Sequence, residues 1–149
     1  MTDTIQPIET GVTPHLVCKN GFAAIDFYVA AFGATELMRL PGKDGRLMHA
    51  ALMINGGRVQ LVDEFPEMGD LPAVAAGSRV TLHMIVPDAV AAIDRAVAAG
   101  ATLKMPATPM FWGDLYGMVT DPFGHVWAIA TPMGPPKTGA ELAAAMQEV

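Results

Sequence analysis

Four histidines, one cysteine and a short aromatic loop are the residues of this chain with the means to do chemistry. His15 and His83 sit in a repeated Thr-x-His, Thr13-Pro14-His15 and Thr81-Leu82-His83, 68 positions apart. On an extended strand each histidine points the same way as the threonine two residues before it. His49 lies on a third apolar run, and His125 follows a turn glycine, where a structural role is expected. Imidazole near neutral pH can serve as a proton carrier, a substrate contact or a metal ligand. A hydrogen-bonded structural histidine is the reading that residue type alone favours. Binding or proton transfer, and a three-imidazole metal site, stay open. Cys18, the only cysteine, falls on the opposite strand face from His15, which argues against a Cys–His nucleophile pair and makes an intrachain disulfide impossible. Phe111-Trp112-Gly113-Asp114-Leu115-Tyr116-Gly117 is aromatic, punctuated by glycine and lies between strands. There Trp112 could stack on a flat ligand and Asp114 accept its donors, or the loop could be a plain hydrophobic plug. Asp63, Glu64 and Glu67 are expected to be a solvated strand end rather than a cation site. No Gly-x-Ser-x-Gly, P-loop or His-Glu-x-x-His occurs.

The elements that must position these residues come twice. Thr13–Asn20 returns as Thr81–Asp88, Ala23-Ala24-Ile25-Asp26 as Ala91-Ala92-Ile93-Asp94, and Gly33-Ala34-Thr35 as Gly100-Ala101-Thr102. A repeat of this length implies two copies of one structural unit. In the first copy residues 12–18 suit a strand, Asn20 a helix cap, and residues 22–32 a helix whose Phe22, Ile25, Val29 and Phe32 share one face. Strands over residues 35–40, 47–54 and 58–63 follow, the last two joined by the hairpin pair Asn55-Gly56. The second copy predicts a strand over 79–86, Asp88 as cap, a helix ended by Gly100, and a short extended piece over 102–105. Strands over 116–120 and 125–130 then flank Asp121-Pro122-Phe123-Gly124, which suits a type I turn. The expected fold is α+β, with tandem βαβββ modules over 12–64 and 79–131 and a linker over 65–78. A proline-rich tail over 132–149 should end in a short helix from residue 139 to 147, opened by a Thr138–Glu141 capping box, whose Leu142 and Met146 could dock on a neighbour.

At 149 residues, 52% hydrophobic and 16% charged, the chain can bury a substantial core. A net charge of −6 argues against a nucleic-acid partner. Residues 1–10 lack the apolar stretch of a secretory signal, and no apolar run approaches the roughly 20 residues of a membrane span, so a cytoplasmic protein is expected. The eleven methionines are read chiefly as core filling.

This pattern resembles the vicinal oxygen chelate superfamily, which includes glyoxalase I, extradiol dioxygenases and the bleomycin- and fosfomycin-resistance proteins, and within it the PhnB-like branch. The resemblance runs from Val12 to Thr131 and is carried by Ala24–Tyr28, Ala31–Ala34, Met48–Ala50, Asp63–Glu67, Trp112–Asp114 and Asp121–Trp127. It implies a curved eight-stranded sheet or half-barrel with helices on the convex face, a small-molecule cleft within one chain or across a dimer, and a homodimer. It also implies that metal-using members take one ligand from the first and last strand of each unit. Those positions here are Thr13, Thr81, Ala128, and Gln60 or Leu61, none of them a histidine or carboxylate. No cofactor is therefore expected, a divalent metal on displaced histidines being the alternative. The charged Arg and Glu that relatives carry after the loop Asp and after the third-strand His are replaced by Leu115 and Ala51. The methyltransferase label that some relatives carry is not expected to apply, since no Gly-rich loop follows a parallel strand. The expectation is a metal-free small-molecule binder with a cleft lined by Thr13, His15, His49, Thr81, His83, Trp112 and Asp114. An enzyme of the superfamily, a lyase, isomerase or dioxygenase, is the alternative.

Overall fold

Two buried aspartates and two exposed helix caps set the frame. The computed structural model describes residues 10–68, 73 and 78–149. The reading of residues 1–9 and most of the linker expected over 65–78 fall outside the described residues. In the first half, strand β1 (His15–Cys18) leads to helix α1 (Gly21–Phe32), then to strands β2 (Thr35–Pro41), β3 (Leu47–Ile54) and β4 (Gly57–Asp63). The second half repeats the order: β5 (Thr81–Ile85), α2 (Ala89–Ala99), β6 (Thr102–Pro109), β7 (Asp114–Thr120) and β8 (Val126–Pro132). A 3-10 turn, Pro66–Met68, follows β4, and helix α3 (Gly139–Met146) closes the chain.

The α+β tandem expected from the sequence is present, its eight strands dividing into two separate sheets. The orders are β1-β4-β3-β2 and β5-β8-β7-β6, so the halves share one topology. In each sheet the first strand runs parallel to the last and the other pairs are antiparallel. The predicted caps are those observed: Asn20 Oδ1 accepts from Ala23 N and Asp88 Oδ1 from Ala91 N, each at 3.1 Å. Each bond satisfies a donor that the first helical turn leaves free. Asn55 and Gly56, at φ 50° and 80°, form the tight hairpin with two positive dihedrals that their residue types favour. Thr138 and Glu141 complete the capping box of α3.

Several strand boundaries differ from expectation. The first strand begins at His15, not residue 12, because the chain ahead of Pro14 has left the sheet and Val12 is fully exposed. β6 runs to Pro109 rather than stopping near residue 105. As the outer strand of its sheet it accommodates Pro106 and Pro109, which a central strand could not. β8 likewise extends to Pro132 at its very end. On α3, Leu142 is half-buried, Met146 is 60% exposed and no residue is buried, so that helix lies over the body without entering its core.

The halves meet chiefly through α1 and α2. Arg95 Nε donates to the carbonyl of Ala30 at 2.8 Å, and Asn55 Nδ2 to the carbonyl of Ile85 at 2.9 Å. Beneath them Phe27, Tyr28 and Phe32 of α1 pack on Phe123 and Trp127 of the second half. Gly117 lets α2 press on β7, since a Cβ there would fall 2.5 Å from Cδ1 of Ile93 on α2.

Asp121, 3% exposed, is the polar centre of this interface. Its carboxylate accepts from the Tyr28 hydroxyl and from Trp127 Nε1 at 2.9 Å. It also accepts from the backbone N–H groups of Phe123 and His125 at 2.9 and 3.0 Å. In the first half Asp63 is buried in the same manner, accepting from Gly21 N and from Leu47 N, the latter at 3.0 Å. The sequence had placed Asp63 at a solvated strand end. It is instead enclosed where β4 runs under the start of α1, and only Glu67 of that acidic group is exposed, paired with Arg46 at 2.8 Å.

Truncating Asp121 strands four donors in a dry environment. Asp121→Ala is expected to lower the unfolding free energy by about 3 kcal/mol or more, and Tyr28→Phe by about 1 kcal/mol. Urea denaturation followed by circular dichroism checks both. Equal, small effects would show that the network carries little stability.

Candidate functional site

Each sheet has one face against the helices and one turned away from them. Along β1 the burial alternates, with Leu16 and Cys18 inward and His15 outward. Along β5, Met84 is buried while Thr81, His83 and Ile85 are exposed. The candidate residues therefore lie on the two open faces, one group on each.

On the first sheet His15, Gln60, Ala51 and Met38 form one row across the four strands. His49, two residues before Ala51 on β3, brings its ring edge-on to His15 with centroids 5.7 Å apart. On the second sheet the matching row is His83, Ala128, Met118 and Met105. The neighbouring row is Ile85, Ala130, Tyr116 and Thr108. His83 stacks on Tyr116 at 6.1 Å, and Tyr116 meets Trp112 edge-on at 5.3 Å. Trp112 Nε1 donates to Asp114 Oδ2 at 3.1 Å, so Asp114 holds the indole in place.

Of the seven residues singled out from sequence, His15 and His49 are brought together on one sheet. Thr81, His83, Trp112 and Asp114 share the other. Thr13 precedes β1 and is half-buried beside Pro14, whose carbonyl accepts from Gln60 N at 2.9 Å. No strand pairing joins the two sheets, so within one chain the two groups remain apart. Tyr116 was not singled out from sequence, yet it links His83 to Trp112. Its spacing of two from Asp114 on a strand was the available signal.

Ring environments differ between the groups. Partial burial, then the His15 ring and the Arg58 guanidinium, hold His49 below the ordinary imidazole value of 6.5. It is thus the neutral imidazole of the first face at pH 7. Cys18 lies on the helix side, and burial followed by Asp121 and Asp63 pushes its thiol up to about 12. A thiol so protonated is no nucleophile. His125 is buried as a structural residue, its Nε2 3.3 Å from the Val17 carbonyl and 4.0 Å from Cys18 Sγ.

Residues 8–129 match the Glyoxalase/Bleomycin resistance protein/Dioxygenase superfamily. The chain belongs to that superfamily. An uncharacterized protein of Mycobacterium bovis is 47% identical over 130 residues, spanning 85% of this chain and 86% of that one. The crystal structure of an Arabidopsis thaliana gene product is 30% identical with a TM-score of 0.68, over 83% of this chain and 99% of that one. The crystal structure of TioX from Micromonospora sp. ML1 is 25% identical with a TM-score of 0.64, over 87% and 99%. The superfamily binds small molecules, and no helix among the described residues is long and apolar enough to cross a membrane.

The divalent metal used by part of the superfamily needs carboxylate and imidazole donors together. The strand register identifies Gln60, not Leu61, as the partner of β1 that corresponds to Ala128 beside β5. The first and last strands thus offer His15 with Gln60, and His83 with Ala128. Two imidazoles, one amide and one methyl group do not fit a divalent ion. Among the described residues no group of three or more His, Cys, Asp or Glu side chains could hold one.

Because the fold depresses the His49 pKa, it favours the neutral ring. That share of stability is complete above pH 6.5 and is lost as pH falls from 6.5 through the lower folded value. NMR titration should give His49 a midpoint below 6.5, and His49→Gln should flatten that part of the stability profile. A midpoint at or above 6.5 would contradict this environment.

Proposed function

We propose that this protein binds a small, largely apolar or aromatic molecule without a resident divalent metal, in a cleft completed by a second copy of the chain. The observation that carries the reading is the wall formed by Trp112, Tyr116 and His83 over the small side chains of Ala128 and Ala130. Ala128 and Ala130 are fully buried beneath these rings, so a flat guest would stack on the outer side of the aromatic wall. Trp112 is already oriented by Asp114, so little rotamer freedom remains to be lost on stacking. The other Asp114 carboxylate oxygen has no hydrogen-bond donor among the described residues and can take one from the ligand.

A second copy is called for by the division of the site. His15, His49 and Gln60 stand on the outward face of the first sheet and the aromatic wall on that of the second. A twofold pairing that sets the first sheet of one chain against the second sheet of its partner encloses both groups. It also covers the open edges of β1 and β5, which present unpaired backbone groups. A cytoplasmic site of action agrees with the free, buried Cys18.

The reading of an acid–base enzyme of the superfamily draws on one observation, the neutral His49 beside His15. A neutral imidazole near pH 7 can accept a substrate proton.

Light scattering after size exclusion should show a dimer at micromolar concentration. A thermal-shift screen of aromatic and aliphatic small molecules should give hits whose stabilisation is lost in Trp112→Ala and in His15→Ala alike. Elemental analysis of protein purified without chelator should show no stoichiometric transition metal. A monomer, or one metal per chain that disappears in His15→Ala or His83→Ala, overturns the proposal.

A further inference from the structure

Beside each open face, at the hairpin end of the sheet, lies a pocket that the candidate cleft does not use. In the first half the β2–β3 turn and the chain just beyond β4 enclose about 400 Å3, lined by Leu40, Pro41, Met48 and Phe65 with Lys43 at the rim. Leu40 is 52% exposed, a large apolar surface left in water. It is the cross-strand partner of His49, so the pocket adjoins the first open face. Phe65 is fixed from behind, with the Arg46 guanidinium 4.0 Å from its ring centre. Arg46 is in turn held by Asp44 at 2.6 Å, Glu67 at 2.8 Å and the Glu64 carbonyl at 3.0 Å. The wall is therefore braced and the charges of Arg46 and Asp44 are mutually engaged. Lys43 is the rim charge with no ion pair among the described residues.

The second half carries a counterpart at the topologically equivalent place. The β6–β7 loop and the chain just beyond β8 enclose about 390 Å3, lined by Met110, Phe111, Met133 and Pro135, with Lys137 and Glu141 at the rim. Met133 stands 68 positions after Phe65, the offset that relates His15 to His83. Its N–H donates to the Gly113 carbonyl at 2.8 Å, closing the pocket against the loop that carries Trp112. Two pockets of nearly equal volume at equivalent ends, the first lined almost wholly by apolar atoms and the second more polar, make this a property of the repeat rather than of one loop. Each rim carries one lysine with no ion pair among the described residues, Lys43 and Lys137, and each rim carboxylate is engaged, Asp44 by Arg46 and Glu141 by the N–H of Thr138.

We propose that the pocket between the β2–β3 turn and Phe65 binds the apolar, aromatic end of an amphipathic anion whose negative group is met by Lys43. The volume suits a two-ring guest, and the chemistry is an apolar floor with one cation at the rim. This names a ligand class for the adjoining cleft, and rests on the small-molecule reading only for the natural ligand.

The test uses two fluorescent probes of similar size, the anion 8-anilinonaphthalene-1-sulfonate and the uncharged N-phenyl-1-naphthylamine, on the full chain. Both should bind the wild type, and Leu40→Asp should weaken both about tenfold, the loss expected for one apolar contact. Lys43→Glu should weaken the sulfonate alone, while a change at the exposed Lys104, Lys104→Ala, alters neither. Leu40→Ser replaces Leu40→Asp should the latter not fold by circular dichroism. Absence of wild-type binding up to about 1 mM overturns the proposal. So does probe binding that survives Leu40→Asp and is lost in Met133→Asp, which would assign it to the other pocket. Loss in Trp112→Ala with Leu40→Asp unaffected would overturn it while supporting the cleft. Loss in Leu40→Asp with Trp112→Ala unaffected sustains it whatever the fate of the cleft.

Discussion

A single buried carboxylate joins the two halves of this protein. Asp121 opens the turn between β7 and β8, yet its oxygens are taken by a tyrosine of α1, the indole of Trp127 and two backbone N–H groups of its own turn. A charge in such a place is tolerable only when nearly every lone pair is used. The arrangement thus fixes three things together: the shape of the turn, the position of α1 against the second sheet, and the protonated state of Tyr28, whose phenol burial and Asp121 hold well above the usual range. With α1 and α2 locked face to face, the helix side of each sheet is committed to the core. The opposite faces are left to whatever the protein binds.

That division explains how duplicated sequence became asymmetric chemistry. The same strand order and helix caps recur in both halves, with Thr131 accepting from Ala89 N where Asp63 accepts from Gly21 N, but the outward rows differ. The first carries His15, His49, Gln60 and Arg58, whereas the second carries His83 and Asp114 with Tyr116, Met118 and Trp112 around two alanines. Neither pairing of first and last strand, His15 with Gln60 or His83 with Ala128, includes a carboxylate. A polar half and an aromatic half complement each other on a ligand with one polar and one flat apolar side, provided the two can be set opposite one another.

Much of this was legible in the sequence where a residue type has one physical job. Asn20 and Asp88 cap helices because their side chains satisfy free N–H groups, and Asn55-Gly56 turns tightly because both accept positive φ. The same reasoning found His15, His49, His83 and Trp112 but could not say which would meet. Contacts such as His83 on Tyr116, or Asp121 on Tyr28 across 93 positions, depend on how sheets and helices pack, and no local pattern encodes them. Asp63 was misread for that reason, since acidic residues at a strand end look alike until a helix is laid across them. β6 was cut short because prolines argue against strands unless the strand is known to be at an edge.

The central claim is that the polar face of one chain works with the aromatic face of another. Disulfide trapping tests it directly. His15→Cys and Thr81→Cys variants, prepared separately with Cys18 left in its buried place, are mixed and oxidised under mild conditions. The account predicts a crosslinked dimer from the mixture, and little crosslink from the variants combined in one chain at high dilution. An efficient crosslink within a single chain, or none between chains at any concentration, would contradict it.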